Sequence, residues 1–301
     1  FTAGSYPALY LSSFNPVTTL KMQNAGKGGK AALIRKGLVV FQFTMAFILI
    51  CTTYVIFLQI RLVQNRNIGI EKQNLIIFPV TNELRDSYTA VLNELQNTGL
   101  VKRCSFSATT LLYPDFWASP WYWKGKDPNE DISIAYFVAS EGLLDADGIQ
   151  LIEGTDIDPA KKDSDGKKGV LINETLAKRM GEEGRVGGKI GQSPDWKSEI
   201  TGIVKDFIFE DPYATEAGPA IFFHSTRRAN YLFVRLNPGT DMYGSKGRIQ
   251  SVLRTFTPYH VFEPALMSNR FEQMFENESL IKKLSALFAG LAIFISCLGL
   301  L

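Results

Sequence analysis

The stretch GLVVFQFTMAFILICTTYVIFLQI, Gly37 to Ile60, decides how this sequence has to be read. It carries no charge from end to end, and it exceeds the roughly 20 apolar residues that a helix needs to cross a bilayer. Its polar residues are the uncharged Gln42, Thr44, Thr52 and Thr53, whose hydrogen bonds can close on their own helix or a neighbouring one. Buried helices of soluble cores are usually shorter, so a transmembrane helix at residues 37–60 is the expectation. On its N-terminal side, residues 1–36 hold Lys21, Lys27, Lys30, Arg35 and Lys36 with no Asp or Glu, against Arg61, Arg66 and Lys72 just beyond the span. That excess puts the N-terminal side in the cytoplasm and residues 61–280 outside it. The same basic segment suits anionic lipid, but fixing topology is its simpler role.

The other end of the chain poses the complementary question. LSALFAGLAIFISCLGLL, Leu284 to Leu301, is apolar throughout and then stops. A soluble domain would leave such a surface uncovered, and a span needs a polar exit. The polypeptide is therefore expected to continue past Leu301, and also before Phe1, which is no initiator Met. Residues 284–301 read as a second, truncated transmembrane helix. Between the spans the composition is that of a globular protein, with 21% charged and 12% aromatic residues overall. A net charge of +2, with basic residues spread out, offers no footprint for nucleic acid. Of three cysteines, Cys51 and Cys297 lie in apolar runs, which leaves Cys104 alone in the middle and no internal disulfide there. Two histidines, His224 and His260, are too few for a His-rich metal site.

The middle reads as mixed α+β. Strands are expected at Asn74–Val80, Val101–Thr109, Ile132–Ala139, Gly169–Ile172, Glu199–Phe209, Ala220–Phe223 and Tyr231–Leu236. Helices are expected over ELRDSYTAVLNELQNTG, closing at Gly99, and at Glu174–Met180. After Pro264 the apolar residues Phe271, Met274, Phe275, Ile281, Leu284 and Phe288 recur at helical spacing. Asn269 with Glu272 resembles a capping box. One continuous helix from Asn269 to Leu301, about 50 Å long, would carry a change in the outer domain into the membrane. The alternative is two helices with a hinge near Glu276–Ser279.

The order RKGLVVFQFTMAFILI, an α+β region, then LIKKLSALFAGLAIFISCLGLL resembles the FtsX-like/MacB-type permease family of ABC systems. VLINETLAKRMG (Val170–Gly181) and ITGIVKDFIFEDPY (Ile200–Tyr213) are similar to the best-marked stretches of the MacB-like periplasmic core domain. AGSYPALYLSSFNPVTTLK (Ala3–Lys21) looks like the end of a preceding FtsX-type module. The resemblance implies a piece of a longer duplicated permease in the bacterial inner membrane. Residues 1–36 would end one module and form its cytoplasmic connector, and 37–60 would be a span. Residues 61–268 would be the α+β periplasmic core domain inserted between two transmembrane helices. Residues 269–283 would be a stalk helix, and 284–301 the start of the second FtsX domain. The family works as mechanotransmitters, so the resemblance also implies a cytoplasmic P-loop ATPase partner and movement of the periplasmic domain.

A phosphate-binding loop fails at EEGRVGGKIG: Gly188-Lys189 is followed by Ile190, and Glu183 holds the place of the first glycine. ATP would therefore sit on a separate subunit, with no cofactor in this chain. An EF-hand alignment of Asp163, Asp165 and Gly166 puts Lys161 and Ile172 at positions 1 and 12, which loses both ligands. Lys205 and Asp206, adjacent in an expected strand, would point to opposite faces, so a packing role suits them better than catalysis. Neither histidine, nor Asp115, has a recognisable nucleophile motif beside it, and no enzyme activity is expected.

Two groups of residues remain as candidates for function. Trp117, Trp121, Tyr122 and Trp123 crowd YPDFWASPWYWKG, where they suit a partner, substrate or interface contact; the simpler alternative is packing of a long loop on its own domain. Phe271, Met274, Phe275 and Ile281 are the candidate coupling residues of the stalk. The bilayer, a periplasmic adaptor and a client protein complete the expected partners. The leading expectation is a non-enzymatic efflux or transmission subunit. The competing ones are a regulator of a periplasmic partner and a membrane-anchored sensor with a ligand pocket.

Overall fold

The computed structural model describes residues 28–156, 158, 160 and 168–300. The expected end of the preceding module, most of the DPAKKDSDGKKG loop with its calcium alignment, and Leu301 lie outside the described residues. The chain divides into two units: the helical residues up to Leu58 together with those from Glu278 on, and a globular unit, Gln59–Asn277.

Helix α1 (Gly28–Gln64) contains the charge-free stretch. From Lys36 to Gln64 it is long and apolar enough to cross a membrane, and it is the one helix among the described residues that passes this test. Its large side chains stand exposed, Leu38, Phe41, Phe47 and Ile48 among them, so it is not the core helix of a soluble fold. Thr44 and Thr53 donate to the carbonyls of Val40 and Leu49 one turn back, which removes the cost of their hydroxyls in an apolar setting. Helix α8 (Glu276–Leu300) belongs to the same unit from Glu278 on. There the Lys282 ammonium lies 4.3 Å from the Phe57 ring centroid.

The globular unit runs β1 (Leu75–Pro79), α2 (Asn82–Asp86), α3 (Tyr88–Asn97), β2 (Val101–Ser107), β3 (Phe116–Ala118), β4 (Ile134–Ala139) and α4 (Leu143–Asp147). It continues with β5 (Leu151–Gly154), β6 (Val170–Asn173), α5 (Glu174–Met180), β7 (Lys189–Ser193) and β8 (Trp196–Val204). Then come β9 (Ala220–His224), β10 (Tyr231–Leu236), α6 (Met242–Phe256), β11 (Ala265–Leu266) and α7 (Met267–Gln273). The strands form one sheet in the order β11-β1-β10-β2-β4-β9-β6-β8-β5, with β3 beside β4 and β7 beside β8.

Two halves meet at a narrow seam. In the first, β10 lies between β1 and β2 and is antiparallel to both, while β11 flanks β1. With α2–α3 and α6 as connections, this is the strand order of a split β-α-β pair, as in ferredoxin-like folds. Ile76, Phe78, Leu92, Phe106, Val234, Ile249 and Leu253 form its core. Leu75 and Ile77, on the opposite face of β1, are buried as well, which explains why that strand is apolar at every position. The second half, β3 to β9, is inserted between β2 and β10. It pairs β4 with β9 and β6 with β8 in parallel, and buries Trp121, Ile134, Ile172, Leu176 and Ile200. Within the sheet the halves join through the single β2–β4 pair Ser107–Ala139, flanked by Ala108 N–H to Val138 O at 2.9 Å and Ser140 N–H to Phe106 O at 2.7 Å.

Three expectations need correction. The helix over Glu83–Gly99 is two, interrupted at Ser87. The strand expected through Phe209 ends at Val204, where the chain turns to meet the end of β6. The continuous helix from Asn269 is also two, α7 and α8, with Met274–Phe275 as a turn. The cause is local: Met274 N–H bonds to Phe271 O and Phe275 N–H to Glu272 O, three residues back, so the last turn tightens and the α-ladder ends. The Asn269 cap is unused, because α7 already begins at Met267.

Candidate functional site

The two stretches that carried the family resemblance bind each other. Strands β6 and β8 are parallel, with Asn173 in register with Val204, so the residues that follow each strand emerge side by side. Asn173 is fully buried and satisfies its whole amide. Its Oδ1 accepts from Leu176 N–H at 3.1 Å, capping α5, and from Ala220 N–H at 2.9 Å. Its Nδ2 donates to Asp206 Oδ1 at 2.7 Å and to Gly218 O at 2.9 Å. Asp206 also accepts from Thr175 N–H at 3.0 Å and the Thr175 hydroxyl at 2.8 Å, while its own N–H donates to Glu174 Oε2 at 3.2 Å. Asp206 is thus a tie between two strand ends, and Lys205 points outward into solvent.

Beyond Asp206 the chain drops into the core and then grips the segment that follows α1. Phe207 and Phe209 are buried against Phe137, with ring centroids 5.6 and 5.4 Å away. Between them Ile208 N–H donates to Ile68 O at 2.8 Å. Gly69 makes the approach feasible: its φ is +85°, and a Cβ there would stand 2.6 Å from Asp206 O. The same segment is held at four further points. Arg66 Nη1 donates to Ala214 O at 2.6 Å, and Glu71 N–H to Asp147 O at 2.8 Å. Arg235, buried in β10, donates to Glu71 O at 2.6 Å, to Gln73 O, and to Ala146 O at 2.7 Å. Lys72 Nζ bonds Gln64 O at 3.1 Å and lies 3.8 Å from the Phe271 ring centroid. Phe271 packs edge-on against Phe275 at 5.3 Å, and Tyr213 meets Phe275 at 5.8 Å. The chain on its way into the globular unit and the chain on its way out therefore meet in one collar.

The electrostatics of the collar follow from burial. Desolvation pushes the Asp147 carboxyl up to about 8, against the pull of Arg235. Burial lowers Lys72 and Arg235 from their ordinary values. An open polar cleft of about 1050 Å³ adjoins the collar, lined by Arg66, Lys72, Lys178, Lys205, Asp206 and Glu216 among others. Elsewhere His224 bridges Lys168 Nζ at 2.9 Å and Glu141 Oε2 at 3.0 Å, and the His224 hydrogen bond holds the Glu141 carboxyl below its usual range. Among the described residues no group of His, Cys, Asp and Glu is arranged to hold a metal.

The predicted site residues are dispersed differently from the expectation. Trp121 is 1% exposed, donates its indole N–H to Ala118 O at 2.6 Å, and stacks beside Tyr136 and Phe223. Trp123 is buried in the same core. Both are packing residues, so they leave the candidate contact surface, because the loop folds back across β3 and β4. Tyr122 is half-buried, with its backbone bridged to Gly191. Only Trp117 of the four is exposed, its indole N–H donating to Glu210 Oε1 at 2.8 Å. Of the stalk group, Phe271 and Phe275 are buried in the collar and Met274 is half-buried in the turn. Ile281 lies on α8 in the other unit, exposed. Sequence reasoning missed Arg235, Asp147 and Arg66. A charge inside the apolar run YLFVRL was a readable sign for Arg235; nothing marked Asp147.

No family model matches the chain, and the comparison with curated proteins finds no match. Solved structures do show similarity. The periplasmic region of MacB from Actinobacillus actinomycetemcomitans is 14% identical with a TM-score of 0.45, covering 71% of this chain and 98% of its own. A domain of a permease-assigned protein from Porphyromonas gingivalis is 16% identical with a TM-score of 0.42, covering 65% and 91%. The extracellular domain of the noncanonic ABC-type transporter YknZ from Gram-positive bacteria is 16% identical with a TM-score of 0.39, covering 64% and 100%.

Proposed function

We propose that this chain is part of a permease-type subunit of an ABC efflux or mechanotransmission system in a bacterial inner membrane, its globular unit on the periplasmic side. In this reading the chain is not an enzyme and holds no cofactor. ATP is hydrolysed by a separate cytoplasmic P-loop ATPase, and a periplasmic adaptor or client receives the movement. The observation that carries the reading is the collar. The segment after the apolar helix α1 is bonded to three elements of the globular unit, and the segment before α8 packs on that same segment through Phe271. A displacement delivered along either segment would be passed to the ends of β6, β8 and β10 rather than absorbed in slack loops.

The test is to purify the natural protein from membranes in mild detergent and assay the ATPase that accompanies it. With Phe271→Ala and Phe275→Ala, ATP turnover is expected to fall while co-elution persists. If no P-loop ATPase co-elutes, or turnover ignores both changes, the transmission reading is wrong. The sensor reading draws on a different observation, the polar cleft beside the collar, which has the size of a small-ligand site. A ligand that binds there without any ATPase partner would favour it.

A further inference from the structure

Asp147 and Arg235 sit at the centre of the collar in an unusual balance. Asp147 is fully buried, and among the described residues neither of its carboxylate oxygens has a hydrogen-bond partner. A buried ionised carboxylate without donors is very costly, whereas a protonated one is far less so. The cation whose charge reaches it is Arg235, which bonds the carbonyl of the preceding residue, Ala146. Yet the Arg235 guanidinium gives its hydrogen bonds to neutral carbonyls: Ala146 O from Nε, Gln73 O from Nη1 and Glu71 O from Nη2. Two of those three acceptors belong to the segment that follows α1. The backbone of Asp147 holds the same segment, accepting from Glu71 N–H at 2.8 Å.

The other charged groups around the pair do not replace Arg235 as a partner for Asp147. On its own helix, Asp145 is paired with Arg103 of β2 at 3.0 Å. From the segment, the exposed Glu71 carboxylate stands 3.5 Å from Arg235 Nη1, on the guanidinium rather than on Asp147. Lys72 is committed to Gln64 O and the Phe271 ring. The other ionisable groups on β2 are Lys102, which is exposed, and Cys104, whose thiol burial pushes up to about 12, so that it stays neutral.

We propose that Asp147 and Arg235 form a proton-controlled latch on the segment Glu71–Gln73. With Asp147 protonated, the guanidinium is free to hold the carbonyls of Glu71 and Gln73, and the collar is closed. Loss of the proton places a carboxylate beside the guanidinium. A charge-assisted Arg–carboxylate pair outcompetes bonds to neutral carbonyls, so the guanidinium turns to Asp147 and releases the segment. The acceptors it leaves, at Glu71 and Gln73, can be taken up by water because both residues are exposed. Burial sets the direction of control: the proton is retained at neutral pH and lost in alkali.

The latch deepens the coupling reading of the same collar, but it is tested without the ATPase, so the two can fail separately. The experiment follows hydrogen exchange of the Glu71 amide in the full chain in lipid nanodiscs, corrected for the intrinsic pH dependence. Between about pH 6 and one unit above the Asp147 midpoint, wild-type protection should fall about tenfold, the shift of a proton equilibrium over one unit. Asp147→Asn, which mimics the protonated form, should keep its protection throughout. Protection that is flat in the wild type, or that falls equally in Asp147→Asn, overturns the proposal. If Asp147→Asn does not fold, the carboxyl carbon resonance of labelled Asp147 in the wild type decides: a group already ionised at pH 6 overturns the latch, and one titrating in the alkaline range supports it.

Discussion

Replacing Asp206 by alanine removes three hydrogen bonds to one carboxylate, from Asn173 Nδ2, Thr175 N–H and the Thr175 hydroxyl. Bonds to a charged group contribute roughly 1.5–3 kcal/mol each, more than neutral ones. They do not add, because Asp206 is half-buried and water can reach the freed Thr175 groups. The buried Asn173 amide cannot recover its lost acceptor so easily. A total loss of about 3 kcal/mol is expected, which for a unit of this size lowers Tm by about 6–12 °C. Asp206→Asn keeps an acceptor for Asn173 and Thr175 N–H and can donate to the Thr175 hydroxyl, so it should lose about 1 kcal/mol. The assay is thermal unfolding of the full chain in detergent, followed by near-ultraviolet circular dichroism. In addition, exchange at Ile208, whose amide bonds Ile68, should quicken in the alanine variant first. Two variants of equal stability would refute the view that Asp206 acts as a hydrogen-bonding tie.

Gly69→Ala places a Cβ 2.6 Å from Asp206 O at a φ of +85°, so a loss of about 2 kcal/mol or more is expected by calorimetry, with faster exchange at Ile208. Trp121→Ala should cost about 3–5 kcal/mol in a denaturant titration, as large-to-small core changes do. By contrast, Trp117→Ala should stay within about 1 kcal/mol, since it loses mainly an exposed bond to Glu210; the reverse ranking would return Trp121 to the surface. The pH dependence follows from Asp147, whose folded value is raised above that of the unfolded chain. The folded state therefore holds the proton longer, and stability should fall as pH rises from about 4 towards about 8 and then level off. Denaturant midpoints measured across that range should show the decline in the wild type and a flatter profile in Asp147→Asn.

How much of this was legible depended on what each residue faces. Strands buried on both sides, such as LIIFP, VLIN and YLFVRL, announce themselves as mostly apolar runs, and α1 by its long charge-free stretch. Helix α6 does not, because MYGSKGRIQSVLRTF buries only Ser245, Ile249 and Leu253 and contains two glycines that depress helical propensity. Its start was nevertheless marked by Asp241, whose carboxylate accepts from Tyr243 and Gly244 N–H. Strand β5 is mostly exposed and has no apolar alternation to read. The tryptophan loop misled because composition shows that aromatic rings cluster, not which way they turn. Trp117 and Trp121 are four residues apart and face opposite environments. Asp147 in GLLDADG was invisible, since only the fold brings Arg235 beside it from far along the chain.

The insertion of β3–β9 between β2 and β10 also dictates an order of events during synthesis. Strands β1 and β2 leave the ribosome early but do not pair with each other; their shared neighbour β10 arrives only after the whole inserted half has been made. That half can form once β9 has been made, from pairings that all lie within it, whereas the first must wait for β10 and then close a longer loop across the whole insertion. The last pieces to arrive, β10 with Arg235 and α7 with Phe271, complete the hold that Asp147, Ile208 and Ala214 begin on the segment after α1. A nascent chain therefore lacks these last contacts on the segment until translation has passed β10 and α7.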